Sequence, residues 1–466
     1  MSTISLDRSQ ASLAGVQTQL LEDFSTKETA RFVAERPRSQ AALDAGAAPW
    51  LNGVPMHWMR DWPSPFPLVV KKAKDARLTD LDGHKLDDFC LGDTGSMFGH
   101  SPPAVTRAIR RQAVRGLTYM LPSKAALRAG ALMSAHFGNF IWQMTLSATD
   151  ANRNALRVAR ALTGRRKVLV FNGCYHGTLE DTMVELHAGQ TVARAGLVGQ
   201  GFDLVEGAVC VEFNDLKGVA AALAQGDVAA ILTEPVMTNS CMVLPQPGFL
   251  EGLRALADAH GALLIIDETH TQSTGRGGYT GQHGLAPDIF VIGKCVAGGM
   301  PTALWGMTDA VAKRFKTYDA DRPSGHSGMG TTLAGNPMQF ACLEATLSKV
   351  ATPDAFDHMD AGAARLAEGL GAAIVQADLP WHVVRVGARV EFICAPGPLM
   401  NGMQAAAAHH PAIEGAVHLG LLNRGCLIAP FHNMMLVSPV TTDRQIDRLI
   451  EAFKDVVSEL KGGTHA

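Results

Sequence analysis

Several kinds of feature are missing from this 466-residue chain, and each absence closes off a class of function. No Cys-x-x-Cys pair occurs among the cysteines at positions 90, 174, 210, 241, 295, 342, 394 and 426. Free thiols in a reducing cytoplasm are the simplest reading, and no metal site is expected. The formal net charge is only −3, and Lys and Arg are scattered apart from short clusters such as 107–111. That balance gives no electrostatic footprint for nucleic acid or an anionic membrane. No uncharged apolar run reaches spanning length, no signal peptide is read at the start, and no internal repeat is found. The expectation is a cytoplasmic protein with neither a nucleic-acid nor a membrane partner.

What is present is a globular composition, 47% hydrophobic and 18% charged, in a chain too long for one core. Single cores stop growing at roughly 250–300 residues, so a second domain is expected. Residues 1–40 are polar and read as a helical or poorly ordered arm. From about 75 to 345, apolar strand-like runs alternate with helical patterns. Lys167–Phe171 is such a run and ends at the turn signal Asn172-Gly173. Residues 228–232 run into Thr233-Glu234-Pro235, 262–266 into Asp267-Glu268, and Ile289–Ile292 into Gly293-Lys294. Residues 302–307 are a further strand candidate. Phe249–His260 has helical periodicity and stops at Gly261, a C-cap residue. This alternation predicts an α/β fold with a mostly parallel sheet and helices on both faces. After about 350 the pattern changes to a helix over 354–374, strands near 383–392, and short apolar runs at 418–422, 427–429 and 435–437. A final helix spans Asp443–Leu460, with an N-cap at Thr441-Thr442. This is the pattern of a smaller α+β domain.

In parallel sheets of this type ligands bind at the carboxyl ends of strands. Glu234, Asp267 and Lys294 all stand at such ends. Lys294 alone would more readily snorkel to solvent, but in an apolar site a lysine is desolvated and becomes a neutral nucleophile. Asp267 is expected to be half-buried, and a buried carboxylate needs a cation. Tyr175 and His176 follow the Lys167–Phe171 strand and offer flat rings. Ser147-Ala148-Thr149-Asp150 opens a helix to about Ala161, and helix N-termini attract anions. A covalent lysine, a carboxylate for a ring nitrogen, a stacking ring and a phosphate cradle are together the demands of pyridoxal 5′-phosphate (PLP).

The order of these motifs resembles the class III (ω-) aminotransferases of PLP fold type I, nearest the branch around glutamate-1-semialdehyde aminomutase. The resemblance runs from about Trp50 to the C-terminus. Leu81-Asp82-Gly83 and Gly99-His100 match its early pattern. Ser147-Ala148-Thr149-Asp150-Ala151 stands where the family has SGTEA, which implies that Ala148 and Thr149 hold the phosphate. Cys174-Tyr175-His176-Gly177 matches YHG, implying that Tyr175 stacks on the ring. Glu234-Pro235 matches the EP pair. Asp267-Glu268-Thr269 matches DEV, with Asp267 on the pyridine nitrogen and Thr269 behind the ring, and His270 stands where the ring hydroxyl is often contacted. Gly293-Lys294 with Gly298-Gly299-Met300-Pro301 matches the lysine motif. Gly330-Thr331-Thr332 and the residues to Pro337 match a segment whose threonine, here Thr332, reaches the cofactor of the other subunit. A homodimer with shared active sites is implied. Ala148 replaces a usual Gly, Asp150 a usual Glu and Thr269 a usual Val.

The implied organisation is an arm over 1–75 that contributes to the small domain and the active-site entrance, a PLP-binding domain over 76–345, and a small domain over 346–466. The implied catalytic groups are Lys294, Asp267 and Tyr175. In the aminomutase a Gly-Val-Asn-Ser-Pro-Val-Arg segment supplies an arginine for a carboxylate. Here the stretch reads Gly53-Val54-Pro55-Met56-His57-Trp58-Met59, with Met59 at the arginine position and Arg60 beside it, which counts against aminomutase activity. Met56, Trp58, Met97 and Phe98 would offer apolar surface to an aryl or alkyl amine, or would be core packing. Arg389 would bind the carboxylate of a keto acid, or pair with Glu391 or another acid. The expected activity is ping-pong transfer of an amino group from a primary amine to a keto acid such as pyruvate. The alternatives are a β- or ω-amino acid transaminase, or an aminomutase of the glutamate-1-semialdehyde type.

Overall fold

The computed structural model describes residues 12–429 and 432–463. The chain divides into two compact units. The larger comprises Pro102–Phe356 and Leu399–Ala407; the smaller takes the described residues through Ser101, Asp357–Pro398 and those from Ala408 onward.

The larger unit is built on a seven-stranded sheet. Its strands are β1 (Ile141–Thr145), β2 (Lys167–Phe171), β3 (Ala208–Val211), β4 (Val228–Thr233), β5 (Leu263–Asp267), β6 (Ile289–Ile292) and β7 (Ala303–Met307). The spatial order is β3-β2-β4-β5-β6-β7-β1. The pairs β3/β2, β2/β4, β4/β5 and β5/β6 are parallel, whereas β7 runs antiparallel to both neighbours. The middle strands are apolar on both faces because both faces are covered. Val168, Val170, Ile265 and Val291 face one core with Ala151, Ala155 and Ala159 of helix α1 (Ala148–Thr163). Leu169, Phe171, Leu264 and Ile266 face another, with helices α2 (Leu216–Leu223) and α3 (Phe249–His260). Helix α3 stops at Gly261, whose φ of 62° is the left-handed region where a side chain costs energy. Helix α4 (Pro337–Lys349) opens with a capping box, Asn336 to Gln339.

The smaller unit has a four-stranded and a three-stranded sheet. The first joins Val70–Lys74, Arg77–Asp80, Lys85–Asp88 and Cys426–Leu427; the second joins His382–Val386, Arg389–Ile393 and Met434–Leu436. Helices Thr18–Glu35, Pro353–Gln376, Pro411–Asn423 and Asp443–Leu460 contribute to one core around Phe24, Leu366, Phe392, Val417 and Phe453. Within the predicted arm, the described part is largely helical, Thr18–Glu35 and Pro37–Gly46; residues 1–11 lie outside the described residues. The apolar run at 418–422 is not a separate element but the end of Pro411–Asn423, where every residue from Ala416 to Asn423 is buried. A helix buried all round loses the polar face that reveals its period.

Candidate functional site

The parallel register brings the carboxyl ends of β2, β4, β5 and β6 side by side. One chemically apt group leaves each: His176 after β2, Glu234 after β4, Asp267 at the end of β5 and Lys294 after β6. Lys294 is half-buried and adopts a φ of 49°, a left-handed backbone that a side chain occupies only when its surroundings over-determine it. The turn behind it is closed by Val296 N donating to Gly293 O (3.2 Å) and Gly298 N to Cys295 O (2.8 Å). A Cβ on Gly293 would meet Cβ of Ala148 at 3.1 Å and of Ala303 at 3.3 Å, so the lysine loop and the start of α1 lie in close contact.

Asp267 is 4% exposed, not half-buried as its place at a strand end predicts, because β5 lies near the middle of the sheet. Its Oδ2 accepts from Asn152 Nδ2 (2.8 Å) and is paired with His176 Nδ1 (3.0 Å), and its Oδ1 accepts from Thr269 N (3.1 Å). Burial pushes the Asp267 carboxyl up, but the His176 pairing and these bonds outweigh it and hold it below the usual range. Burial likewise pushes the His176 imidazole down, and the bond to Asp267 reverses that and raises it. The pair is therefore an imidazolium against a carboxylate. A carboxylate has about four acceptor positions. Three are filled, and one remains for a further donor such as a protonated ring nitrogen.

Glu234 is buried, with Oε2 accepting from Thr238 Oγ1 and from Thr238 N (3.3 Å). Burial raises its carboxyl to about 7, against the lowering influence of His176 and the Thr238 bond. Its Oε1 and the Thr269 hydroxyl are buried without a hydrogen-bond partner among the described residues. At the start of α1, Ser147 Oγ accepts from Asp150 N (3.2 Å), and Thr149 Oγ1 accepts from Thr178 N (3.1 Å). Gly177, at φ 82°, lets Thr149 lie where any Cβ would collide with its hydroxyl. The backbone N–H groups of Ala148 and Thr149 sit in the first turn of a 16-residue helix, the favourable end of its dipole for an anion. Tyr175 is 39% exposed, leaving ring surface open. His270 Nε2 lies 2.9 Å from Lys294 Nζ. These residues fit a phosphorylated pyridine aldehyde: a lysine, a spare acceptor on a buried anion, an open aromatic ring and an anion-attracting helix end.

Two contributors were not apparent in the sequence. Asn152 looks like one more position on the Ala-rich inner face of α1, yet it donates to both Asp267 and His176 O. Gln272 donates to Thr269 O (2.8 Å) and Gly293 O (2.9 Å), tying the loop after β5 to that after β6. An Asn within an Ala-rich helical stripe was the available signal for the first; a single Gln in a loop offers none.

Thr332 is exposed in a turn before α4. Met56 and Trp58 are exposed in the smaller unit, where Met97 and Phe98 are buried. Arg389 is 0% exposed there; its Nη1 donates to Thr94 Oγ1 (2.5 Å) and its Nη2 lies 3.9 Å from Asp93. Glu391, two residues on, is pushed up by burial to about 8, opposed by the Arg389 charge.

Comparison with known proteins gives these residues their context. The profile of the class-III aminotransferases matches residues 59–457. A glutamate-1-semialdehyde 2,1-aminomutase of Roseiflexus castenholzii is 34% identical over 407 residues, 85% of this chain and 91% of that protein. The crystal structure of a glutamate-1-semialdehyde-aminomutase from Pseudomonas aeruginosa PAO1 superposes with a TM-score of 0.93 at 48% identity, covering 96% of this chain and 100% of that one. A β-phenylalanine aminotransferase from Variovorax paradoxus reaches 0.81 at 27% identity, over 93% and 97% of the two chains. The chain belongs to the class-III aminotransferases, enzymes of α/β fold whose cofactor is pyridoxal 5′-phosphate.

Proposed function

We propose that this chain is an aminomutase of the glutamate-1-semialdehyde type, moving an amino group between adjacent carbons of one small carboxylated substrate. The observation that carries the choice is the 48% identity over 96% of the chain to the Pseudomonas aeruginosa aminomutase, against 27% for the β-phenylalanine aminotransferase. PLP, when bound, supplies an aldehyde that takes up the amine and a ring that draws off the electron pair of the adjacent carbon.

The protein's own groups do the rest. Lys294 would hold the cofactor covalently, and its side-chain amine, when free, would carry a proton between carbons as a neutral base and an ammonium acid. Asp267 would keep the ring nitrogen protonated through its fourth acceptor position, and His176 and Asn152 orient that carboxylate. The N–H groups of Ala148 and Thr149 would hold the phosphate at the helix end. With the cofactor bound, Tyr175 would cover one ring face, Thr269 would stand behind the other, His270 would meet the ring hydroxyl, and buried Glu234 would belong to the same pocket. Thr332 would reach the phosphate in the partner subunit of a homodimer.

A second reading, transfer from an apolar amine to a keto acid, is favoured by one observation. The carboxylate-binding arginine of the aminomutase segment is Met59 here. Met59 and Trp58 line an apolar cavity of about 530 Å³ with Trp50 and Trp62 in the smaller unit. The test is to supply glutamate-1-semialdehyde without any keto acid. Formation of the 5-amino-4-oxo isomer is expected. If no isomer forms, while 1-phenylethylamine, β-alanine or a diamine donates to pyruvate, the transaminase reading replaces this one.

A further inference from the structure

We propose that His270 is the proton partner of Lys294: its neutral imidazole takes a hydrogen bond from the lysine amine, fixes where the amine's lone pair points, and accepts a proton when that amine must be neutral. This rests on the reading of Lys294 as the covalent residue. It goes beyond it, because a contact to the ring hydroxyl is all that the family position implies for His270.

The geometry is a built one. His270 Nε2 stands 2.9 Å from Lys294 Nζ, and the histidine is 4% exposed. Both loops are fixed with respect to each other by the Gln272 amide, which donates to Thr269 O on one side and Gly293 O on the other. Ser273 Oγ donates to His270 O (3.1 Å), holding the short turn Thr271–Thr274 against the histidine backbone. Lys294 keeps a left-handed backbone, so its side chain leaves the strand end in a direction the turn sets. Two side chains held this closely by opposing loops are pre-organised.

The surrounding charges are committed elsewhere. Asp267 is bonded to His176, Asn152 and Thr269. Glu268 is held by the Thr271 hydroxyl and by the N–H groups of Tyr279 and Thr280. On the helix Gly278–His283, which packs on the His270 turn, Tyr279 and His283 stack on each other, and Arg276 just before it donates to Ala135 O. On α4, which packs on the lysine turn, Glu344 is paired with Arg128.

When Nε2 of the neutral imidazole carries no proton, the histidine is the acceptor and the lysine amine the donor. In the transfer the Nζ–H bond breaks, its electron pair stays on nitrogen, and an Nε2–H bond forms. No electron passes to another reagent. Once His270 is itself protonated it can no longer accept, and two cations face each other.

The test uses His270→Gln, which keeps an acceptor that cannot take a proton, and His270→Phe, which keeps neither. The first readout is the cofactor-free protein with labelled histidines, titrated by NMR and assigned from the His270→Gln spectrum. Replacing the neighbouring ammonium in Lys294→Ala is expected to move the His270 midpoint up by about one pH unit. Equal midpoints overturn the pairing. The second readout is the single-turnover amine half-reaction against pH. The parent is expected to lose rate as pH falls through the histidine range, and His270→Gln to lack that limb. His270→Phe is expected to lose about 100-fold in rate with substrate affinity little changed. An unaltered acid limb in the Gln variant overturns the proposal, and so does a parental rate in the Phe variant. If the Phe variant fails to fold, the Gln variant and the NMR midpoint decide. Borohydride trapping of the cofactor on a residue other than Lys294 would instead overturn the lysine assignment.

Discussion

Replacing Asp267 by asparagine tests the core of the site, because the substitution keeps the shape of the side chain and removes its charge. Three donors already converge on the carboxylate: Asn152 Nδ2 at 2.8 Å, His176 Nδ1 at 3.0 Å and Thr269 N at 3.1 Å. Adding a ring N–H makes four. An asparagine offers one oxygen with two acceptor positions and brings two donors of its own, so at least two of the four lose their partner. The His176 imidazolium loses its counter-charge, while burial still pushes it down. The ring nitrogen loses a unit negative charge at hydrogen-bond range. At about 4 Å and an effective dielectric near 20, that charge is worth roughly 4 kcal/mol, or about a thousandfold in rate. The assay is rapid mixing of the loaded enzyme with substrate, following loss of the visible band of the lysine-bound cofactor. The expected result is a rate about 10³-fold down, with the cofactor still attached. A variant within about tenfold of the parent refutes the electrostatic role, because the arithmetic leaves no room for so small an effect.

Three further outcomes follow from the same geometry. Lys294→Ala is expected to bind cofactor without a borohydride-reducible bond and to lose about 10²–10⁴-fold in proton transfer, checked by peptide mass and single-turnover kinetics. Gly177→Ala places a Cβ against the Thr149 hydroxyl at a φ of 82°; displacement of the phosphate cradle is expected to weaken cofactor affinity about tenfold or more by equilibrium dialysis. Glu234 makes the stability of the cofactor-free protein depend on pH. Its folded pKa of about 7 lies above the ordinary 4.5, so between those values the folded state holds a proton that the unfolded chain releases. Stability is therefore fully present below that window and falls as pH rises through it, by roughly 3 kcal/mol at most. Glu234→Gln is expected to flatten that fall in urea melts at pH 5 and 8, and an unchanged slope would assign it to another group.

How much of this was legible in the sequence depended on whether the signal was local. Helix α3 and the last helix, Asp443–Leu460, were readable at both ends because their stops and starts are chemical: Gly261 in a left-handed cap, and Thr442 in a capping box with Gln445. Strand β2 was readable because a short apolar run ended at a turn signal. The run at 418–422 does not read as helix because burial of every residue from Ala416 to Asn423 erases the period there. The chemical groups were visible one by one, since the carboxyl ends of consecutive parallel strands carry Glu234, Asp267 and Lys294. Their pairings were not. His176 and Asp267 are 91 residues apart, and Asn152 reaches Asp267 across 115. Those contacts arise only when β2, β4 and β5 lie side by side, an order that runs against chain sequence at β3. For the same reason the degree of burial at Asp267 was misjudged: a strand end is half-exposed at a sheet edge and closed at its middle. Strand position in the sheet, rather than residue type, thus turns an ordinary aspartate into a buried anion with one acceptor position to spare. That remaining position is what Lys294 needs nearby, because a lysine that moves protons is useful only beside a group that can hold the ring's charge.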